Sequence, residues 1–144
     1  MPLWTIYHTP NIFTDKEKTE LANSITEVYT AVGLPRFYVI TVFKQIEPAD
    51  LYVGGEQTDS AVRIVVDHIA RTLPDKAARE RTTRRLGAAL APCLNRPGLH
   101  WEFHVDETSQ ELWMINGLVP PPMNSAAERE WARTNTISPY AAPV

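Results

Sequence analysis

Residues 3–8, LWTIYH, alternate apolar and polar positions in the manner of a strand with one buried face. Thr14 and Glu17, in T-D-K-E, form a capping box that opens a helix. Leu21, Ile25, Val28 and Val32 follow at helical spacing, and Gly33 supplies the stop. The β-branched and aromatic run FYVITVF, 37–43, reads as a buried strand, which completes a β-α-β unit.

The plan then repeats. Residues 61–68, AVRIVVDH, predict a strand, and Pro74 opens a helix that begins with Asp75-Lys76 and runs to about Leu94. Its apolar face carries Leu86, Leu90 and Cys93, and HWEFHV, 100–105, predicts a fourth strand. Asp75-Lys76 echoes Asp15-Lys16 sixty positions earlier, and the same offset sets His68 under His8 and Ile64 under Trp4. Strand, crossover helix and parallel strand connect with right-handed chirality. The expected fold class is therefore α/β (α+β): two tandem β-α-β units forming a four-stranded sheet with two helices on one face. The other sheet face is expected to be bare and apolar, which predicts an oligomer that covers it.

One domain is expected over 1–144, with the first unit at 3–60, the second at 61–117 and a proline-rich tail at 118–144. Residues 47–60, with Gly54-Gly55, predict a short hairpin or turn, and the tail predicts one short helix at 126–133 that packs on a neighbouring subunit.

Composition narrows the function. Charged residues make up 22%, hydrophobic residues 44%, and the formal net charge is −3, a globular balance that favours neither nucleic acid nor membrane as a partner. The basic stretch ARERTTRR, 78–85, reads as a solvated helix face. The single cysteine, Cys93, allows no intrachain disulfide and reads as a small buried residue. No signal peptide or membrane-spanning run is visible, so a soluble cytoplasmic protein is expected. His100 and His104 have the spacing H-x-x-x-H, but on a strand four residues span about 13 Å, too far for two ligands of one metal ion. No metal and no cofactor are expected.

The candidate chemistry begins at Pro2. Removal of Met1 would make it a free secondary amine, held at the start of a strand. An α-amino group has a reference pKa near 8, and burial with nearby cations can bring it to about 6–7, where a general base works best. Arg71 follows a strand end, where α/β sheets bind ligands, and its guanidinium suits a carboxylate. Arg36, in LPRF, is a candidate second cation, with a surface turn as the alternative. Tyr29 lies at the edge of the first helix's apolar stripe, either as packing or as a proton donor. His104 either points into the pocket beside Pro2 or finishes a strand. Trp101 and Trp113 read as core or interface.

PLWTIYHT, ITEVYTAVGLPRF, LYVGG, VDHIAR, WEFH and NGLVPPP, in this order and spacing, resemble the tautomerase superfamily. Within it the chain is most similar to the cis-3-chloroacrylic acid dehalogenase-like group, of the oxalocrotonate tautomerase type. The resemblance implies that Pro2 is the catalytic proline, that Arg71 binds a substrate carboxylate, and that the assembly is a trimer. It also exposes departures. The second carboxylate-binding arginine falls at Pro74, the helix histidine becomes Tyr29, and the tyrosine of the site falls at Phe103 or His104. The water-activating glutamate falls near Ile115, with Glu111 as a possible substitute. Hydration needs a group that activates water, whereas enolisation needs only a base and a carboxylate anchor. The expected function is keto-enol tautomerisation of an α-keto or unsaturated carboxylic acid. The alternatives are a hydratase, dehalogenase or decarboxylase of small three-carbon acids, or a non-catalytic oligomer that binds a metabolite.

Overall fold

The computed structural model describes residues 1–141; the last three residues of the tail, 142–144, lie outside them. The elements are β1 (Pro2–His8), α1 (Asp15–Thr30), β2 (Ile40–Gln45), the hairpin β3 (Tyr52–Val53) and β4 (Glu56–Gln57), β5 (Ala61–Ile69), α2 (Lys76–Leu94), β6 (His100–Thr108) and α3 (Ala126–Thr134). The four long strands form one mixed sheet in the order β2-β1-β5-β6. Each unit contributes a parallel pair, β1 with β2 and β5 with β6, and the two units join antiparallel through β1 and β5.

All three α-helices start on side-chain caps. Thr14 Oγ1 accepts from the Glu17 N–H at 3.1 Å, Asp75 Oδ1 from Ala78 N–H at 2.7 Å, and Ser125 Oγ from Glu128 N–H at 3.1 Å. Each cap satisfies a donor that the first helical turn leaves unpaired. Even-numbered residues of β1 and β5 face the helices and are buried: Trp4, Ile6, Val62, Ile64 and Val66. Leu21, Ile25 and Tyr29 of α1 and Leu86, Leu90 and Leu94 of α2, each set at i, i+4, i+8, close that core. The stripe of α1 thus turns one position further than its apolar residues suggest: Tyr29 is buried, while Val32 is 55% exposed.

Three expectations need correction. The tail helix packs on this chain's own core rather than on a neighbouring subunit, because Trp131 is buried against Phe37 and Tyr38. The third strand begins at Ile40 rather than at 37, because Arg36–Tyr38 forms a single 3₁₀ turn after Pro35 that sends Tyr38 into the core against Trp113. The bare sheet face is also mixed rather than apolar. Leu3, Tyr7, Val65 and the half-exposed Ile40 share it with a polar edge. Along that edge Arg63 Nη2 lies 2.7 Å from His104 Nδ1, and His104 Nε2 lies 3.1 Å from Asp106 Oδ2. The cause is the alternation of β6, which puts His100, Glu102, His104 and Asp106 on one face.

Candidate active site

The N-terminus lies buried at the end of β1, where register places Pro2 directly opposite His68. Met1 continues the β1–β5 ladder: its carbonyl accepts from Ile69 N–H at 3.2 Å, and its amine donates to the Tyr38 carbonyl at 3.2 Å. A cavity of about 310 Å³ opens here, lined among others by Met1, Tyr29, Val32, His68, Arg71 and Arg85. The site weakens the amine as a base. Its pKa falls from 8.0 to about 4, first because burial penalises the ammonium and second because Arg71 repels it, with Glu128 opposing both.

Arg71 reaches the site through a turn at the end of β5. Ala70 adopts the left-handed conformation, with φ 70°, which an L-residue occupies only at a cost, and its N–H is secured by the Thr108 carbonyl at 2.8 Å. The guanidinium then meets a carboxylate from the tail. Arg71 Nη2 lies 3.0 Å from Glu128 Oε1, and the side chains are 21% and 7% exposed. Glu128 Oε1 also accepts from the Asn124 N–H at 3.1 Å. Among the described residues, only Nη2 of Arg71 is engaged.

On the other wall, three side chains form a chain of hydrogen bonds. Trp4 Nε1 donates to the Tyr29 hydroxyl at 3.0 Å, and that hydroxyl lies 2.6 Å from His68 Nε2. Trp4 and His68 come from adjacent sheet strands on the helix-facing side, while Tyr29 descends from the last turn of α1. Burial moves both titrating groups toward their neutral forms. The phenol is pushed well above its usual value, and the imidazole falls to about 4, with the nearby N-terminal ammonium adding to the effect of burial.

The structure sets Tyr29 and Arg71 on one cavity, places Pro2 buried behind its Met1 wall, and leaves two candidates outside it. Arg36 is exposed, with Nη2 3.5 Å from Asn23 Oδ1, because the turn that buries Tyr38 directs Arg36 outward. His104 lies on the opposite sheet face, since strand alternation turns it away whenever Phe103 faces α2. Phe103 lines a separate groove with Leu73 and Thr82. Glu111, in the turn Gln110–Leu112, is exposed. Three residues of the site escaped sequence reasoning. His68 registered only as a mark of the repeat, Arg85 was absorbed into a solvated basic face, and Glu128 stood in the unremarked S-x-x-E cap of α3. Only the last carried a local signal, and that signal concerned capping.

A mixed sheet of two β-α-β units, with a buried amine at the head of its first strand, defines the tautomerase architecture. The chain belongs to the family described as "Putative oxalocrotonate tautomerase enzyme", which matches residues 1–136, and so to the tautomerase superfamily. Among solved structures, native RhCC from Rhodococcus jostii RHA1 is 40% identical, with 96% of this chain and 99% of that one covered, at a TM-score of 0.92. AU4130 from the thermophilic fungus Aspergillus fumigatus is 38% identical over 97% and 98% of the two chains, at a TM-score of 0.91. N1, a member of the cis-3-chloroacrylic acid dehalogenase family, shares the fold at a TM-score of 0.71, with 17% identity over 94% and 92%. Among curated proteins, none matches the sequence.

Proposed function

We propose that the protein is a cofactor-independent tautomerase that interconverts the keto and enol forms of an α-keto or unsaturated carboxylic acid. Its base is the amine of Pro2, released when Met1 is removed. The observation that carries this reading is the buried amine at the end of β1, whose proton affinity is depressed beside Arg71. The free Pro2 nitrogen would stand one residue further along β1, where burial and the Arg71 charge likewise favour the neutral amine. Loss of Met1 also frees two groups beside it, the Ile69 N–H and the Tyr38 carbonyl.

In the reaction, the substrate carboxylate pairs with the part of the Arg71 guanidinium that Glu128 leaves free, and Arg85 adds positive charge at the mouth. Pro2 takes a proton from the carbon next to the carbonyl, negative charge moves to oxygen, and the pyrrolidinium returns the proton there. Hydration or dehalogenation is less well served. Ile115 offers no base, and the buried carboxylate Glu128 is already tied to Arg71 and the Asn124 N–H. A homo-oligomer, a trimer by resemblance, would cover Leu3, Tyr7, Val65 and Ile40 on the open sheet face.

Ketonisation of the phenylpyruvate enol, followed by loss of ultraviolet absorbance, tests the proposal. General acid–base catalysis contributes about 10²–10⁴-fold, so Pro2→Ala should slow the enzymatic rate at least about 100-fold. An equally active Pro2→Ala protein would sink Pro2 as the base.

A further inference from the structure

We infer that His68 is a second catalytic residue of this site: as a neutral imidazole it donates from Nδ1–H to the substrate oxygen on which enolate charge develops. The inference rests on the tautomerase reading and assigns the group that answers the charge Pro2 creates.

The hydrogen-bond chain dictates which nitrogen carries the proton. Indole Nε1 can only donate, so the Tyr29 oxygen accepts from Trp4. The Tyr29 proton then needs an acceptor, and the one within reach is His68 Nε2 at 2.6 Å. Were Nε2 protonated instead, the buried hydroxyl would accept twice and donate to nothing, leaving a donor unsatisfied. Tyr29 is 6% exposed, so water does not readily supply that missing partner. His68 therefore holds its proton on Nδ1.

Nδ1 is the nitrogen that can meet a ligand. It has no hydrogen-bond partner among the described residues, and it is not one of the sealed, unpartnered atoms, which are His8 Nε2 and the Tyr38 hydroxyl. His68 lines the cavity together with Met1 and Arg71, and its backbone lies directly across the sheet from Pro2. A bound acid anchored on Arg71 thus meets the Pro2 base and the His68 donor in one space. The repeat supplies a comparison within the molecule. His8, the counterpart of His68 sixty residues earlier, is enclosed by Phe13 and Phe43 and turns Nδ1 to the Thr9 carbonyl at 2.9 Å. One fold position thus serves packing in the first unit and faces a cavity in the second.

The step balances without net transfer from the imidazole. The C–H bond breaks to nitrogen of Pro2, the carbonyl oxygen gains charge and the Nδ1–H hydrogen bond, and the pyrrolidinium proton then passes to that oxygen. Tyr29 acts through His68 and is a positioning residue.

Two measurements test the assignment. Nitrogen NMR of the ring-labelled protein at pH 7 should show His68 protonated on Nδ1, and in Tyr29→Phe a mixture of tautomers. A proton on Nε2 in the unmodified protein would overturn the inference. In phenylpyruvate enol ketonisation, removing a preorganised donor to an oxyanion costs about 10²–10³-fold. His68→Phe should therefore lose about 100-fold in kcat, with KM changed less than about threefold. His68→Asn, whose amide nitrogen sits near the position of Nδ1, should recover about tenfold of that loss, and His68→Gln should not. An undiminished kcat in His68→Phe would also overturn it. A wild-type protein inert toward the enol would sink the tautomerase reading, and the catalytic role of His68 with it. A Pro2→Ala protein as active as wild type would sink only the proline reading. The tautomer measurement separates either result from an error in the Trp4–Tyr29–His68 geometry.

Discussion

Arg71 and Glu128, fifty-seven positions apart, meet at 3.0 Å beside the buried N-terminus, with the carboxylate almost wholly out of solvent. The strand-end arginine expected to hold substrate is thus already held by the protein. This pairing does two things. It fixes one edge of the guanidinium so that the other edges face the cavity in a defined direction, and it partly cancels the field that Arg71 exerts on the amine.

Replacing Glu128 by Gln should separate these effects. The amide retains an acceptor for Asn124 N–H but loses the charge opposite Arg71. Charge-assisted hydrogen bonds contribute about 1.5–3 kcal/mol. The guanidinium keeps some solvent contact, so a loss of about 1–2 kcal/mol in chemical denaturation is expected after allowing for screening. The amine, relieved of a stabilising anion, should deprotonate at lower pH, and the acid limb of the pH–rate profile should move down. An upward shift would contradict the placement of Glu128.

Burial of His68 predicts an acid-side loss of stability. The imidazole has a reference pKa of 6.5 unfolded and about 4 in the fold, so between these values the unfolded chain binds a proton that the native state refuses. Stability is therefore unaffected by this residue above about pH 6.5 and declines as pH falls toward 4. At 1.36 kcal/mol per pKa unit the full effect is about 3 kcal/mol. Other carboxylates titrate in the lower part of this window, so the informative quantity is the difference between wild type and His68→Phe. That difference should shrink steadily from pH 7 to pH 4.

Retention of Met1 should abolish activity without loosening the fold. In a form that keeps it, the Pro2 nitrogen is an amide with no basic lone pair, while the bonds to Ile69 and Tyr38 persist. Intact-mass measurement paired with the enol assay should show at least about a 100-fold lower rate in the Met1-bearing form and an undiminished melting temperature.

The tail is fastened by Trp131. It is 1% exposed, its ring meets Phe37, Tyr38 and Tyr140, and its Nε1 donates to the Ser138 carbonyl at 2.9 Å. Trp131→Ala should cost about 3–5 kcal/mol. It should also release Glu128 from Arg71, so that limited proteolysis cuts first near α3. Cutting that begins in α1 or α2 would show that the tail is not held in this way.

The sequence by itself determined the units and their order. Strand-like runs, alternating at 3–8, identified three of the four strands close to their bounds, the capping box and Pro74 placed the starts of α1 and α2, and the sixty-residue offset made the duplication visible, because these patterns are local consequences of backbone period and helix-end chemistry. It also singled out Pro2 and Arg71, which stand at strand ends whatever surrounds them. Only the tertiary structure decided which side chains share a space. Tyr29 became a buried link because α1 turned its stripe by one position, His68 joined it across the sheet from Pro2, and Glu128 came in from a tail whose sequence says nothing about where α3 lies. His104 and Arg36 left the site for the same reason. The direction of a side chain depends on strand parity and on a single turn after Pro35, and an error of one residue in either sends it to the opposite face.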